Sequence, residues 1–234
     1  MIHFLKSEVS IIKQRKTPDL RKIIWYIVLI TLIFSIGFTV ARLIFTDKAD
    51  TLHNDYVLML VQCCLGIAVL FVPDLIQKKF SCRLPSLLTI LYYIFLYCAI
   101  YLGEVRSFYY VIPFWDSILH GFSAGMLGVF GFWLVDLLNQ NEKVRVHLSP
   151  LFVSLFAFCF AVTVGAVWEI YEFTGDALLG LNMQKFRLSD GTVLIGHAAL
   201  GDTMKDIIID SIGALVIAVI GFINNTCKTK KENV

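Results

Sequence analysis

Charge is scarce in this chain of 234 residues, and where it is missing it is missing in blocks. Asp, Glu, Lys and Arg make up 16% of the sequence, against about 25% in an ordinary soluble domain. Six stretches carry none of the four: 23–41, 56–73, 84–103, 121–135, 148–168 and 211–226. A buried soluble core accounts for one or two runs of that kind, not six in succession, so a water-soluble fold is excluded. Other absences narrow the class further. The six cysteines form no CxxC and no Cys/His zinc spacing. Cys63, Cys64, Cys98 and Cys159 lie inside the uncharged runs, and Cys82 and Cys227 fall on the side expected to be cytoplasmic, so neither a disulfide framework nor a zinc ribbon is expected. There is no GxSxG nucleophile motif. No basic groove interleaved with aromatics exists to hold nucleic acid. No internal repeat of the transporter kind is evident.

What remains is 58% hydrophobic with a mean hydropathy of +0.76. The expected fold class is all-α, a polytopic transmembrane bundle of six spans seated in a lipid bilayer. The first run is too long for a signal-peptide core, and no small-residue cleavage site follows it, so it reads as a retained span.

The net charge of +2 says little, but its placement says more. Lys6, Lys13, Arg15, Lys16, Arg21 and Lys22 precede the first span. Lys78, Lys79 and Arg83 fill the second connection, Lys143 and Arg145 the fourth, and Lys228, Lys230 and Lys231 the tail. The first connection is mainly acidic, and the third and fifth are not enriched in base. The positive-inside rule therefore predicts both termini in the cytoplasm. Residues 1–20 read as a basic amphipathic segment on the cytoplasmic lipid surface, with Ile2, Leu5, Val9 and Ile12 on one face. Residues 21–226 form the transmembrane domain, with an outward loop at 175–201, and 227–234 a basic cytoplasmic tail. Within the loop, "SDGT" between "FRL" and "VLI" predicts a small hairpin, and the loop as a whole a covering lid. The aromatics Phe108, Tyr109, Tyr110, Phe114 and Trp115 read as an interfacial belt.

The informative chemistry lies at the ends of the last three spans. Asp202, Asp206 and Asp210 recur every four residues in "GDTMKDIIID", which puts them on one helix face. The uncharged run after Asp210 covers only about 24 Å of helix, against about 30 Å of hydrocarbon, so Asp210 falls below the lipid boundary. Asp116 and His120 share a face of the fourth span in the same way. Glu169, Glu172 and Asp176 share a face where the fifth span ends. Continued inward, the faces turn small: Ala124 and Gly128 after His120, Gly165 and Ala161 before Glu169, Ala214 and Ala218 after Asp210. Small faces allow close packing in lipid, so three helices are expected to bring these acids together.

Seven carboxylates in one vestibule demand protonation, a cation or nearby bases. Arg42, His197, Lys185 and Arg187 are candidate counter-ions. Carboxylates with imidazole at helical spacing are also what bundle metal sites use, with His120, Glu169, Asp206 and Asp210 as candidate ligands. Mixed oxygen and nitrogen donors suit zinc, manganese or iron; an oxygen-only set suits magnesium or calcium. Asp74 and Asp136, at the other ends of their spans, read as interfacial.

These motifs carry a family resemblance. "WDSILHGFSAGMLG" resembles the D-x-x-x-H-F segment of VanZ-like proteins and of the YjdF-type bacterial inner-membrane family. "VWEIYEF" resembles the Glu-rich helix end that follows, and "DTMKDIIIDSIGALV" the later D-x-x-x-D/N-x-x-G-A segment. The resemblance spans residues 114–222 and is closer to the YjdF type, because of the tryptophan before the glutamate and an aspartate at 210. It implies a multi-pass protein of a bacterial plasma membrane and carries no established activity with it.

Three functional expectations follow. In the first, Asp116, His120, Glu169, Asp206 and Asp210 bind a divalent metal or act as acid and base, oriented by Glu172 and Asp202, in an enzyme acting on a lipid-linked or envelope substrate. In the second the acids relay protons or a cation during transport. In the third the cluster only fixes helix packing or binds a partner. Substrate and oligomeric state are not legible.

Overall fold

The computed structural model describes residues 19–46, 51–139, 148–188 and 191–232. The amphipathic segment expected over 1–20 lies outside them except for Asp19 and Leu20, as do the basic residues Lys143 and Arg145. The described chain is all-helical, and six of its helices are long and apolar enough to cross a membrane.

The first span is α1, Leu20–Phe45. Asp19 caps it, accepting from the Arg21 backbone N–H at 3.2 Å, which satisfies one of the N–H groups a helix start leaves unpaired. Ser35 and Thr39 are fully buried along this helix. Each donates its hydroxyl to the carbonyl one turn earlier, on Thr31 and Ser35, so neither leaves a polar group unpaired in an apolar interior. The second span comprises α2, Thr51–Leu70, and α3, Val72–Phe80. Pro73 in the first turn of α3 marks the joint between them. The third begins as α4, Ser86–Leu96, and continues as a π-helical segment, Tyr97–Val105. After a one-turn helix, α5 (Phe108–Val111), come α6, Trp115–Asn139; α7, Pro150–Leu179; and α8, His197–Glu232.

The last helices outrun their uncharged cores. α7 ends at Gly180, which takes the left-handed conformation (φ +66°) that glycine accepts without strain. The connection between α7 and α8 is therefore 180–196, shorter than the 175–201 that composition indicated. Likewise the segment from 227 onward continues α8 as helix to Glu232. The end of the bundle carrying residues 180–196 is called the loop end below.

The spans pack as two groups. α1, α2 and the third span close around Val28, Leu32, Met59, Cys63, Tyr93, Leu96 and Ile100, all buried. α6, α7 and α8 pack pairwise on one another more extensively than any other helices. Their contact surface is the small-residue face: Ala124, Gly128, Ala161, Gly165, Ala214 and Ala218 are all buried. α4 and the π-helical segment join the two groups by packing on α6. Outward, Ile30, Phe34 and Ile44 are 64%, 75% and 72% exposed, a surface that belongs in lipid.

This packing predicts an asymmetry among the glycines. A Cβ added at Gly131 would lie 2.9 Å from the Ala157 Cα, which is backbone and cannot yield, whereas one at Gly37 meets nothing within 4 Å. Gly131→Ala should destabilise the detergent-solubilised protein by about 1–3 kcal/mol. Gly37→Ala should be neutral or stabilising by up to about 1 kcal/mol. Thermal melts of the two variants check this; equal melts would contradict the packing.

Candidate functional site

Four carboxylates from three helices surround His120. The histidine lies one turn and a half into α6, where the loop end has already given way to the apolar face. Its ring Nδ1 lies 3.3 Å from both oxygens of Asp210 on α8. With the proton on Nδ1, His120 donates to that carboxylate, and the Nε2 lone pair faces the other way. On that side lie Glu169 Oε1 of α7 at 3.7 Å, Asp116 Oδ1 at 4.0 Å and Asp206 Oδ2 at 4.0 Å. The cluster is dry: His120 is 8% exposed, Glu169 4%, and Asp206 and Asp210 2% each. Asp116, with 26% of its side chain accessible, is the most open member.

Glycine makes this approach possible. A Cβ at Gly165 would collide with the Asp210 Oδ2, and one at Gly213 would lie 2.9 Å from the Gly121 carbonyl oxygen. Both positions must be bare for α7 and α6 to come close enough to α8.

The residues present fit a cation. The Nε2 distances are too long for hydrogen bonds and lie near the about 3.3–3.6 Å that separates ligands of a tetrahedral ion with bonds of about 2.0–2.2 Å. One donor atom each from Asp116, His120 and Asp206 fall within 4.8 Å of one another. Two buried carboxylate oxygens, Glu169 Oε1 and Asp206 Oδ1, have no hydrogen-bond partner among the described residues. Orphaned acceptors are costly in such a place, and a cation would satisfy them. Asp210 is the exception among the four ligands expected from sequence. It sits on Nδ1, opposite the other oxygens, where a carboxylate orients an imidazole instead of sharing its ion.

The other sequence candidates divide. Glu172 does not belong to the ring around His120; its Oε1 accepts from Trp168 Nε1 at 2.9 Å, and it faces the same cavity as His120. Asp202 is half-buried one turn before Asp206. Asp176 is buried and anchors the loop, accepting from the backbone N–H of Met183 at 2.7 Å and of Gln184 at 3.0 Å. Asp74 and Asp136 are exposed. Of the four proposed counter-ions, only Lys185 faces the cavity. Arg42 donates instead to the Tyr56 hydroxyl at 2.9 Å, Arg187 stacks on Phe186, and His197 is exposed at the start of α8.

The loop folds back onto the bundle. Leu181 and Met183 are buried against Leu58 of α2. Gln184 donates to the Thr203 hydroxyl at 2.8 Å. The predicted hairpin is reduced to one antiparallel bridge, Arg187 to Val193, flanked by the Leu188–Thr192 and Leu194–Phe186 backbone bonds. Lys185, in the left-handed region at φ +53°, places its ammonium over Tyr109 and Tyr110, at 4.7 and 5.2 Å from the ring centroids. Burial pulls its pKa down, but Glu104, Tyr110, Asp116 and Glu172 outweigh that and hold it above the ordinary lysine value, so it stays charged.

Two residues of the site escaped the sequence reading. Glu104, at the loop end of the third span, lines the cavity; in "EVRSFYY" it looked like a charge of the connection. Its position at the loop end of a span, like that of the aspartates on α8, was the available signal. Tyr109, assigned to an interfacial belt, also lines the cavity and packs on Gly103, where a Cβ would run into its ring. Burial, helped by Asp116 and Glu104, pushes its hydroxyl well above the usual tyrosine range, so it stays neutral.

If His120 offsets the buried acids, losing it alone strands them. His120→Leu should cost about 3–5 kcal/mol. In the double variant with Asp210→Leu, part of that loss should return, with a coupling of at least about 1 kcal/mol in a double-mutant cycle of thermal stability. Simple additivity would refute the pairing.

Comparisons with known proteins follow the same geography. The family described as Predicted membrane protein (DUF2238) matches residues 21–226, which take in all six spans. A protein of Thermotoga maritima, described as "Uncharacterized protein", is 32% identical over 126 residues, which are 53% of this chain and 56% of the relative. The chain thus spans little more than half the length of that curated relative. No solved structure matches. YjdF-like proteins are members of the same family, whereas the likeness to VanZ-like proteins stays a resemblance. By the extent of its family match, the chain belongs to the membrane-protein family DUF2238.

Proposed function

We propose that the His120 cluster is a divalent-cation site and that the protein is a metal-assisted enzyme acting on a lipid-linked substrate in a bacterial plasma membrane. The observation that carries this reading is Glu169 Oε1. It is buried, has no hydrogen-bond partner among the described residues, and lies 3.7 Å from an imidazole nitrogen that faces it.

Asp210 would hold the Nδ1 proton and so keep the Nε2 lone pair directed at the ion. Glu169, Asp206 and Asp116 would supply oxygen donors. This is a mixed set that suits zinc, manganese or iron better than calcium. Such an ion, when bound, polarises a phosphoryl or carbonyl oxygen and lowers the pKa of a coordinated water. Asp116 is the most accessible member of the ring and lines the cavity together with His120, so it would face the substrate. Glu172, fixed by Trp168 on the cavity wall, is placed to accept or return a proton during hydrolysis. The bases flanking even-numbered connections support cytoplasmic termini, which sets the loop end and the site at the outer surface.

Transport has less in its favour. The charged side chains that line the cavity gather at the loop end, and its far end is apolar. A structural role for the cluster would leave the orphaned oxygens unexplained.

Elemental analysis of the purified wild type should find stoichiometric bound metal. His120→Ala and Asp206→Asn should lose it, while Asp74→Asn, exposed at the opposite end, should keep it. A wild type that takes up no ion from added zinc, manganese, iron or magnesium would end the proposal.

A further inference from the structure

Beside the cluster lies a cavity of about 450 Å³ whose shape and lining go beyond what a metal needs. It begins among Asp116, His120, Glu172 and Lys185 at the loop end. It continues along α6 as far as Leu127, which at helical rise is about 16 Å deeper. Past the first turn or two its walls are mostly apolar, with Leu65 and Val69 of α2, Phe95 of α4, Leu127 of α6 and Val164 of α7, and with Gln62, Tyr92 and Ser123 as polar exceptions. A polar head and a long apolar tail describe an amphiphile.

The cavity also faces the bilayer. One wall comes from α2 and the third span, the other from α6 and α7. The two walls are joined on one side, where α4 and the π-helical segment pack on α6. On the other side, α2 and α7 contribute Leu65, Val164, Val167 and Trp168, which are 40%, 36%, 58% and 44% exposed, and the two helices share no extensive packing among the described residues. That side is open to lipid.

Lys185 indicates the head group. Its ammonium lines the polar end and stacks on Tyr109 and Tyr110, but it forms no ion pair among the described residues. Glu104, Asp116 and Glu172 line the same cavity and act on the ammonium without closing an ion pair, so its three charged donors, next to an ion site, favour an anionic oxygen as direct partner.

We infer that the cavity takes one phosphate-bearing lipid from the bilayer through the gap between α2 and α7, its chain along the Leu65–Val164 cleft and its phosphate between Lys185 and His120. This rests on the enzymatic reading for its purpose, but its binding is measured separately. A free phosphate would satisfy Lys185 as well; the apolar cleft is what favours the lipid.

The test uses detergent-solubilised full-length protein and phosphatidate with brominated acyl chains, which quench nearby tryptophan. Trp168 lines the cavity, and Trp168→Phe identifies its share of the signal. Wild type should show saturable quenching of Trp168. Lys185→Gln should weaken it about tenfold. Val164→Phe, or Leu65→Phe from the opposite wall should either fail to fold, should fill the cleft and remove it. Brominated diacylglycerol, lacking the phosphate, should bind at least about tenfold more weakly. Equal binding of the diacylglycerol, wild-type quenching in Lys185→Gln, or displacement of the lipid by equimolar inorganic phosphate would overturn the inference. Metal content of the same samples separates the two proposals: Lys185-dependent lipid binding by metal-free protein would uphold this one and defeat the ion.

Discussion

At Gly165 the α7 backbone has no side chain, and the Asp210 carboxylate of α8 occupies the space a Cβ would need. The same arrangement recurs where α6 and α8 meet, with Gly213 against the backbone of Gly121. In hydrocarbon there is no hydrophobic force between helices, so van der Waals contact and polar pairing must hold them together, and both require close approach. The small face of α6, α7 and α8 provides it. Once the three helices are that close, the side chains at the polar end of each face have nowhere to go except toward one another. The packing of glycine and alanine deep in the bundle thus places histidine and carboxylate at its mouth.

Such convergence has a cost, since carboxylates crowded in a dry interior repel and lose their hydration. Part of the compensation is visible. His120 donates its Nδ1–H to Asp210. Trp168 pairs with Glu172, and the loop backbone pairs with Asp176. The compensation is incomplete, because one oxygen each of Glu169 and Asp206 has no hydrogen-bond partner among the described residues. A fold that only needed stability would replace these acids with apolar residues, as buried ionic groups seldom improve stability over a well-packed core. Their presence in this form is the physical basis for reading the cluster as functional.

The two helix groups also serve the site differently. The α6–α8 group supplies its chemistry. The α1–α4 group supplies the facing wall, and the π-helical segment at the end of the third span brings Glu104 to the cavity and sets Gly103 against the Tyr109 ring. π-helical turns recur at functional sites because the widened turn redirects side chains that an α-helix would leave elsewhere. The loop closes the end, tied down by Asp176 and by the buried Leu181 and Met183.

Much of this was legible from the chain alone, because hydrocarbon is an unforgiving solvent. A span must be uncharged for most of its length, so six spans could be counted, and any acid within one had to be facing protein or an ion. Helical period then placed Asp116 with His120, Glu169 with Glu172, and Asp206 with Asp210, and marked the small residues as the packed face. Tertiary structure decided what period cannot: which nitrogen of His120 meets which acid, that Asp210 stands opposite the other oxygens, that Arg42 turns to Tyr56 and only Lys185 of the candidate bases reaches the cavity. It also decided the partners that come from outside the three helices, Glu104 and Tyr109 among them. Spacing along a helix sets the direction of a side chain, but the distance between two helices depends on every residue packed between them, and that is a property of the folded bundle.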